Sequence, residues 1–216
     1  MLESAFFGIQ CRMGSTRLPG KVLKKLNGKE LILHLYENLL NSGVVSKNIY
    51  FLISDTKKDI ELETFIKKRK LNYLIGSEMN VYSRYQMLCQ SLGEDKTVIR
   101  LTGDNPFIDT NVIFATLKSH LNNFADFTST RLIKSSGEVI RFVPKGNSVD
   151  IFNTNLFLGN KPELSKFDKE HVIPSLYRLT KVNLVKSESF DFKIKDSISV
   201  DEEEDFIKLQ STYNDS

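Results

Sequence analysis

The sequence predicts an α/β fold: an open, mostly parallel sheet with helices on both faces. Up to about Phe124, short β-rich runs alternate with longer amphipathic stretches, the pattern of parallel strands joined by crossover helices. The scale also fits. A chain of 216 residues, 40% hydrophobic and 26% charged, can bury a sizeable core, which excludes intrinsic disorder.

The elements follow in order. Ser4–Gln10 (SAFFGIQ) reads as a buried first strand. Leu31, Leu35, Leu39 and Leu40 recur at helical spacing in Lys29–Asn41, and Gly43 stops that helix. Asn48–Ser54 is a second strand, followed by a charged helix over Lys57–Lys70. Asn72–Ile75 is a short strand, Val81–Leu92 a helix, Thr97–Leu101 a buried strand and Asn111–Leu121 a helix. The rhythm then changes. Ala125–Thr130, Val139–Pro144 and Ser148–Phe152 are β-like runs split by glycine turns, which predicts an antiparallel β extension or a hairpin inserted into the core. A helix over Lys169–Leu179, β-like Val182–Lys186 and Phe190–Lys195, and a last helix from about Glu202 complete the chain. One domain over 1–216 with a β-rich insertion at about 125–165 is the simplest reading.

Composition narrows the function. Thirty Lys+Arg against 27 Asp+Glu leave +3, too little for a dedicated nucleic-acid groove. No apolar run approaches the roughly 20 residues that span a bilayer, so no membrane insertion is expected. Two cysteines, Cys11 and Cys89, make neither a disulfide framework nor a cysteine-only zinc site, and a cytoplasmic location is the default. The near-neutral total is a cancellation. Residues 1–30 carry six Lys/Arg against Glu3 and Glu30, whereas residues 196–216 carry seven acids against Lys208.

The most informative stretch is Gln10–Leu23, QCRMGSTRLPGKVL. It follows a buried strand, and in an open α/β sheet ligands bind beyond the carboxyl ends of the strands. Gly14 and Gly20 permit tight turns, Ser15 and Thr16 add hydroxyls, and Arg12, Arg17 and Lys21 add charge. Backbone N–H groups with Arg and Lys are what a polyphosphate requires. It is not a Walker A loop, because five residues separate the glycines and Val22 follows Lys21. On residues alone, a solvated basic turn remains open.

RMGSTRLPGKVL resembles the signature loop of cytidylyltransferases that activate acidic sugars, with the spore-coat polysaccharide biosynthesis protein F type the nearest pattern. It is also similar to 3-deoxy-manno-octulosonate and, more distantly, acylneuraminate cytidylyltransferases. The resemblance implies a Rossmann-like nucleotide-diphospho-sugar transferase fold (GT-A-like, a three-layer sandwich). It also implies that the loop wraps the triphosphate of CTP, with Arg12 and Lys21 on phosphate oxygens and Cys11, Gly14, Ser15 and Arg17 nearby.

Two acidic segments complete the pattern. Arg100–Asp109 (RLTGDNPFID) ends a buried strand in Thr102-Gly103-Asp104. A carboxylate there, opposite a basic loop, is placed to hold Mg²⁺ against a triphosphate. Turn chemistry explains the segment equally well, and Asp109 reads as a helix cap. The resemblance makes Asp104 a metal ligand. In SVDEEEDF, Asp201 reads as an N-cap with Glu204 three residues on, while the resemblance brings Asp201 to the same metal; the two roles are compatible. Asp205 reads as a helix-surface residue.

Gly76–Tyr85 (GSEMNVYSRY) resembles the family's base- and ribose-approaching element, which places Gly76 and Ser77 near the nucleotide. It departs at Ile75, Met79, Asn80 and Ser83, and Asn80 reads as a cap for the next helix. PKGNSVDIF and Glu170-His171-Val172 resemble segments that shape the acceptor pocket, Asp150 standing where Glu is usual. His171, His34 and His120 read as structural. The implied reaction is CTP plus a sugar acid giving a CMP-sugar and pyrophosphate, with Arg12, Lys21 and Asp104 catalytic, Mg²⁺ on Asp104 and Asp201, and a homodimer. The alternatives are another nucleoside triphosphate, or a non-catalytic binding relative.

Overall fold

The structure is a computed structural model and describes residues 4–134, 136–159, 162–195 and 199–214. Glu3, Asp196 and Asp215, counted among the charges above, and Ser135 of the SSGE turn lie outside the described residues. The strands are β1 (Ala5–Gln10), β2 (Lys25–Leu26), β3 (Lys29–Glu30), β4 (Ile49–Ser54), β5 (Asn72–Gly76), β6 (Thr97–Thr102), β7 (Phe127–Ser129), β8 (Arg131–Ile133), β9 (Val139–Arg141), β10 (Asp150–Asn153) and β11 (Val182–Leu184). The helices are α1 (Leu31–Asn41), α2 (Ile60–Lys68), α3 (Val81–Leu92), α4 (Thr110–Asn122), α5 (Asn155–Leu158), α6 (Lys166–His171), α7 (Ile173–Leu179) and α8 (Glu203–Asn214).

Seven strands form one sheet in the order β11-β7-β10-β6-β1-β4-β5. β1 lies between β6 and β4 and parallel to both, and only β10 runs against the rest. Successive strand residues point to opposite faces, so the strands divide their apolar side chains between two cores. Phe51 and Ile53, Ile99 and Leu101, and Ile151 face the core that takes α1, α2 and α4. Leu52, Val98 and Phe152 face the core with α3, α5 and α7. This is the three-layer α/β sandwich expected. A third cluster joins Leu18, Leu26 and Leu31 to Val200, Phe206 and Leu209. It clamps the last segment of the chain onto the basic loop.

Three local readings change. The β-like runs of 125–165 do not form one extension: β7 and β10 are built into the central sheet, and only β8–β9 is a separate hairpin. The helix expected over Lys169–Leu179 is two helices broken at Val172, whose φ of 67° lies in the left-handed region. Pro174 has no N–H to donate to the carbonyl four residues earlier, so a continuous helix cannot close there. Phe190–Lys195 keeps its alternation, with Phe190, Phe192 and Ile194 packed on the core. It joins no ladder, and the Lys195 N–H instead donates to Asp109 Oδ2 at 2.8 Å. Among the described residues no helix is long and apolar enough to cross a membrane.

Candidate active site

Register puts the site together. Gln10 at the end of β1 is level with Leu52 on β4 and Thr102 on β6. The loops after β1 and β6 therefore leave the same edge of the sheet, and Gly103 N donates to Gln10 O at 2.9 Å. Because β10 runs the other way, its first residue, Asp150, reaches this edge and pairs with Arg100.

The basic loop is folded around its own backbone. The N–H groups of Ser15 and Gly20 both donate to Met13 O, at 3.0 and 2.9 Å, and Leu18 N donates to Ser15 Oγ at 3.3 Å. Gly20 has φ +70°, a conformation L side chains rarely adopt, and this turn feeds Lys21 into the site. Beneath the loop sits a carboxylate that sequence reading missed. Asp59, 1% exposed, accepts from Met13 N with one oxygen and from the Ser54 N–H and hydroxyl with the other. Sequence reading put Asp59 inside the charged helix over Lys57–Lys70, but the α-helix begins only at Ile60 and Asp59 stands buried at its N-terminal end.

Lys21 is the hub. Its Nζ donates to Val200 O at 2.7 Å and Asp104 Oδ2 at 3.0 Å, and lies 3.4 Å from Asp201 Oδ1. Asp201 also pairs with Arg17 at 3.3 Å and Lys145 at 3.1 Å. Burial alone would raise the Asp201 carboxyl, but Lys145, Lys21 and Arg17 outweigh it and hold it below the ordinary carboxylate value. Val200 N donates to Asp104 O at 2.9 Å, tying the two acidic segments backbone to backbone. The cap roles are exchanged. Asp205, expected on the helix surface, accepts from the N–H groups of Asp201 and Glu202 at 2.8 and 3.0 Å. The Asp201 side chain is thereby left to the cations. Asp109 and Asn80 cap α4 and α3 as expected, accepting from Asn111 N and Ser83 N.

A cleft of about 350 Å³ opens here. Cys11, Arg12, Ser15, Arg17, Lys21, Thr102, Gly103, Asp104 and Asp201 line it, as do Arg84 of the Gly76–Tyr85 element and Glu170 and His171 of the segment expected to shape the acceptor pocket. Gly14, Gly76 and Ser77 do not line it. Arg12 pairs with Glu78 at 3.6 Å, while burial pushes the Cys11 thiol up. Burial pushes the His171 imidazole below its ordinary value; Arg100 and Arg131 add to this and Glu170 opposes it. The break at Val172 is what lets His171 end its helix at the cleft.

A second cavity, about 180 Å³, shares Thr102, Asp104 and Asp201 and is otherwise strongly basic, with Arg100, Arg131, Arg141 and Lys145. Asp150, 1% exposed, accepts from Arg100 at 2.9 Å and Arg131 at 2.6 Å. Its burial would raise the carboxyl, but Arg131 and Arg100, with Ser129, hold it well below the usual range. Of the sequence departures, Ile75 packs on the core, Met79 is exposed, and Ser83 bonds back to Asn80 O. None of them lines the cleft.

The whole arrangement, from β1 to the start of α8, matches the Cytidylyltransferase family over residues 7–204. The chain is a member of the cytidylyltransferase family. The spore coat polysaccharide biosynthesis protein SpsF of Bacillus subtilis (strain 168) is 29% identical over 98% of this chain and 87% of its own. A cytidylyltransferase from Leptospira borgpetersenii serovar Hardjo-bovis superposes with a TM-score of 0.79 at 26% identity, over 98% of this chain and 87% of that one. A CMP:2-keto-3-deoxy-manno-octonic acid synthetase complexed with CTP superposes with a TM-score of 0.70 over 99% of both chains. At 17% identity it supports the fold alone. As in any cytidylyltransferase, the chemistry to be explained is transfer of a nucleotidyl group.

Proposed function

We propose that this cytidylyltransferase moves the cytidylyl group of CTP onto a hydroxyl of an anionic sugar. The products are a CMP-activated sugar for surface polysaccharide synthesis and pyrophosphate. One observation carries the reading: the Lys21 ammonium is gripped by Asp104, Asp201 and Val200 O in a cleft lined by Arg12, Ser15 and Arg17. Phosphoryl transfer needs positioning and charge neutralisation rather than a covalent nucleophile, and this cluster offers both.

Arg12, Arg17 and Ser15 bind the phosphate oxygens, and Lys21 places its charge where the leaving pyrophosphate develops. Asp104 and Asp201 fit Mg²⁺ by donor chemistry, two hard carboxylates converging on one cation position, and Mg²⁺ commonly takes one or two carboxylates plus substrate phosphates. Held by these two carboxylates, the ion would supply further neutralisation of phosphate charge. The acceptor hydroxyl adds to the α-phosphorus, losing its proton to water, as the bond to the β-phosphate breaks and pyrophosphate leaves in line. The basic cavity beyond Asp104 is suited to the acceptor's anionic group, with Arg131, Arg141 and Lys145 in its wall. The homodimer and the cytoplasmic location belong to the same proposal, and sedimentation tests the former.

The test is a thermal-shift panel of the four nucleoside triphosphates with Mg²⁺, followed by pyrophosphate release across a panel of sugar acids. CTP raising the melting temperature most, and release that depends on one sugar acid, are expected. No stabilisation and no release with any nucleotide–sugar pair would refute the enzyme reading.

A further inference from the structure

The three histidines differ in how their rings are held. His34 Nε2 bonds to Leu26 O at 3.0 Å, and His120 spans Thr128 Oγ1 and Asn153 Oδ1 at 2.9 and 3.1 Å. Both are buried, and their rings serve the packing of α1 and α4. His171 is exposed in the cleft, and among the described residues neither of its ring nitrogens makes a hydrogen bond.

The chain is strained to place it there. Val172, the next residue, is fully buried and holds φ 67° and ψ −66°, a conformation costly for a β-branched side chain. Such strain persists only where the surroundings enforce it, and it gathers at functional sites. Here Val172 N donates to Asp168 O at 2.8 Å and Ser175 Oγ donates to Val172 O at 2.7 Å. Asp168 in turn is locked to Ser165 and Arg178. The Phe167 ring, its centroid 4.3 Å from that of the imidazole, backs His171 on one side.

His171 also stands where the two cavities meet. It lines the first with Lys21 and Asp104, and Arg100 and Arg131 of the second are close enough to oppose its protonation. Arg84, on the neighbouring helix α3, lines the same cleft, and Glu170 on its own helix favours protonation. Burial and the arginines prevail, so the ring is largely neutral at neutral pH and keeps a lone pair on one nitrogen. Transfer to a hydroxyl requires such an acceptor, because the hydroxyl proton must leave as the new O–P bond forms. Asp104 and Asp201 are already engaged by Lys21.

We propose that His171 is the general base of the transfer. Its unshared ring nitrogen takes the proton of the acceptor hydroxyl as that oxygen bonds to the α-phosphorus. The bond from the α-phosphorus to the bridging oxygen breaks, its electron pair leaves with pyrophosphate, and the imidazolium then passes the proton to water. This inference rests on the cytidylyl-transfer reading and adds the residue through which the proton reaches water.

Pyrophosphate-release kinetics across pH test it, with CTP, Mg²⁺ and whichever sugar acid of the panel above gives the fastest release. The base acts only when deprotonated, so wild-type kcat/KM should be level above the imidazole value and fall about tenfold per pH unit below it. His171→Gln should lose about 10²-fold, lose that acidic limb, and bind CTP in calorimetry as wild type does. Added imidazole should restore part of the rate to His171→Ala, which leaves the space open, and none to His171→Gln. Glu170→Gln should keep its rate at neutral pH and move the limb to lower pH, since Glu170 favours the protonated ring. A His171 variant within about fivefold of wild type, an acidic limb that survives loss of the ring, or a loss confined to Glu170→Gln overturns the inference. Should the variants fail to fold, an NMR titration of the imidazoles in wild type decides: His171 titrating at a pH away from the kinetic limb overturns it. Wild type releasing no pyrophosphate with any nucleotide–sugar pair is the distinct failure of the parent reading, and it removes this inference as well.

Discussion

Replacing Lys21 by Met keeps most of the stem and removes the charge. The ammonium, with its side chain 11% exposed, sits 3.0 and 3.4 Å from two carboxylates. At an effective dielectric near 20 each pair is worth about 5 kcal/mol of gross Coulomb attraction. Desolvation of the ammonium cancels most of that, and both carboxylates keep some contact with water, their side chains being 25% and 17% exposed. The net loss of stability is then about 1–3 kcal/mol, which for a chain of this size lowers the melting temperature by about 3–10 °C. Catalysis suffers more: losing one preorganised positive group at a developing phosphate charge costs about 10²–10³-fold in kcat/KM. The two effects have opposite responses to Mg²⁺. With the ammonium gone, Asp104 loses its ion-pair partner and Asp201 keeps only Arg17 and Lys145, so a divalent cation should stabilise Lys21→Met more than wild type while activity stays low. Differential scanning fluorimetry across a Mg²⁺ series, beside pyrophosphate-release kinetics, reads both. A loss of activity below fivefold, or equal Mg²⁺ stabilisation of the two proteins, would refute the hub role of Lys21.

Further outcomes follow from the groups that support the site. Asp59→Asn turns one acceptor beneath the loop into a donor facing donors, so the melting temperature should drop by about 3–8 °C and CTP Kd should rise roughly tenfold by titration. Asp205→Ala removes the acceptor for two N–H groups at the start of α8 and should cost about 1 kcal/mol, seen as a lower urea midpoint; no change would return Asp205 to the surface. Asp168, whose side chain is 4% exposed, caps α6 through Ser165 and pairs with Arg178. Burial would raise its carboxyl, but Arg178 and Ser165 hold it below the ordinary value. A folded pKa depressed in this way gives stability that is present above the unfolded value of roughly 3.9 and lost as pH falls through the folded pKa. The gap in urea midpoint between wild type and Asp168→Asn should therefore be open at neutral pH and close in acid.

Much of the sandwich was legible because its signals are local. The run SAFFGIQ, the leucine spacing of α1 and the caps Asn80 and Asp109 each declare an element within a few residues. What was not legible depends on partners distant in sequence. Strand β10 reads as part of an extension until its pairing with β6 is known, and Phe190–Lys195 alternates like a strand yet meets Asp109 instead of a ladder. In the site, Arg12, Arg17, Lys21, Asp104 and Asp201 stand together in the first cleft as the motifs implied. Gly76 and Ser77 do not, because their segment contributes through Arg84 one helix later. Asp59 escaped notice, and the burial of Arg84 within the Gly76–Tyr85 element was not foreseen, for one reason. A charged residue in an amphipathic stretch reads as solvated, and only the fold shows that it is buried.

Transfer of radiolabelled CMP from [α-³²P]CTP to a sugar acid in a single turnover, comparing wild type with Asp104→Ala, is the most direct test of the Lys21–Asp104–Asp201 centre. Labelled CMP-sugar should form with wild type and fall to background with a folded Asp104→Ala protein. Transfer by Asp104→Ala at a rate near that of wild type would place the reaction centre elsewhere.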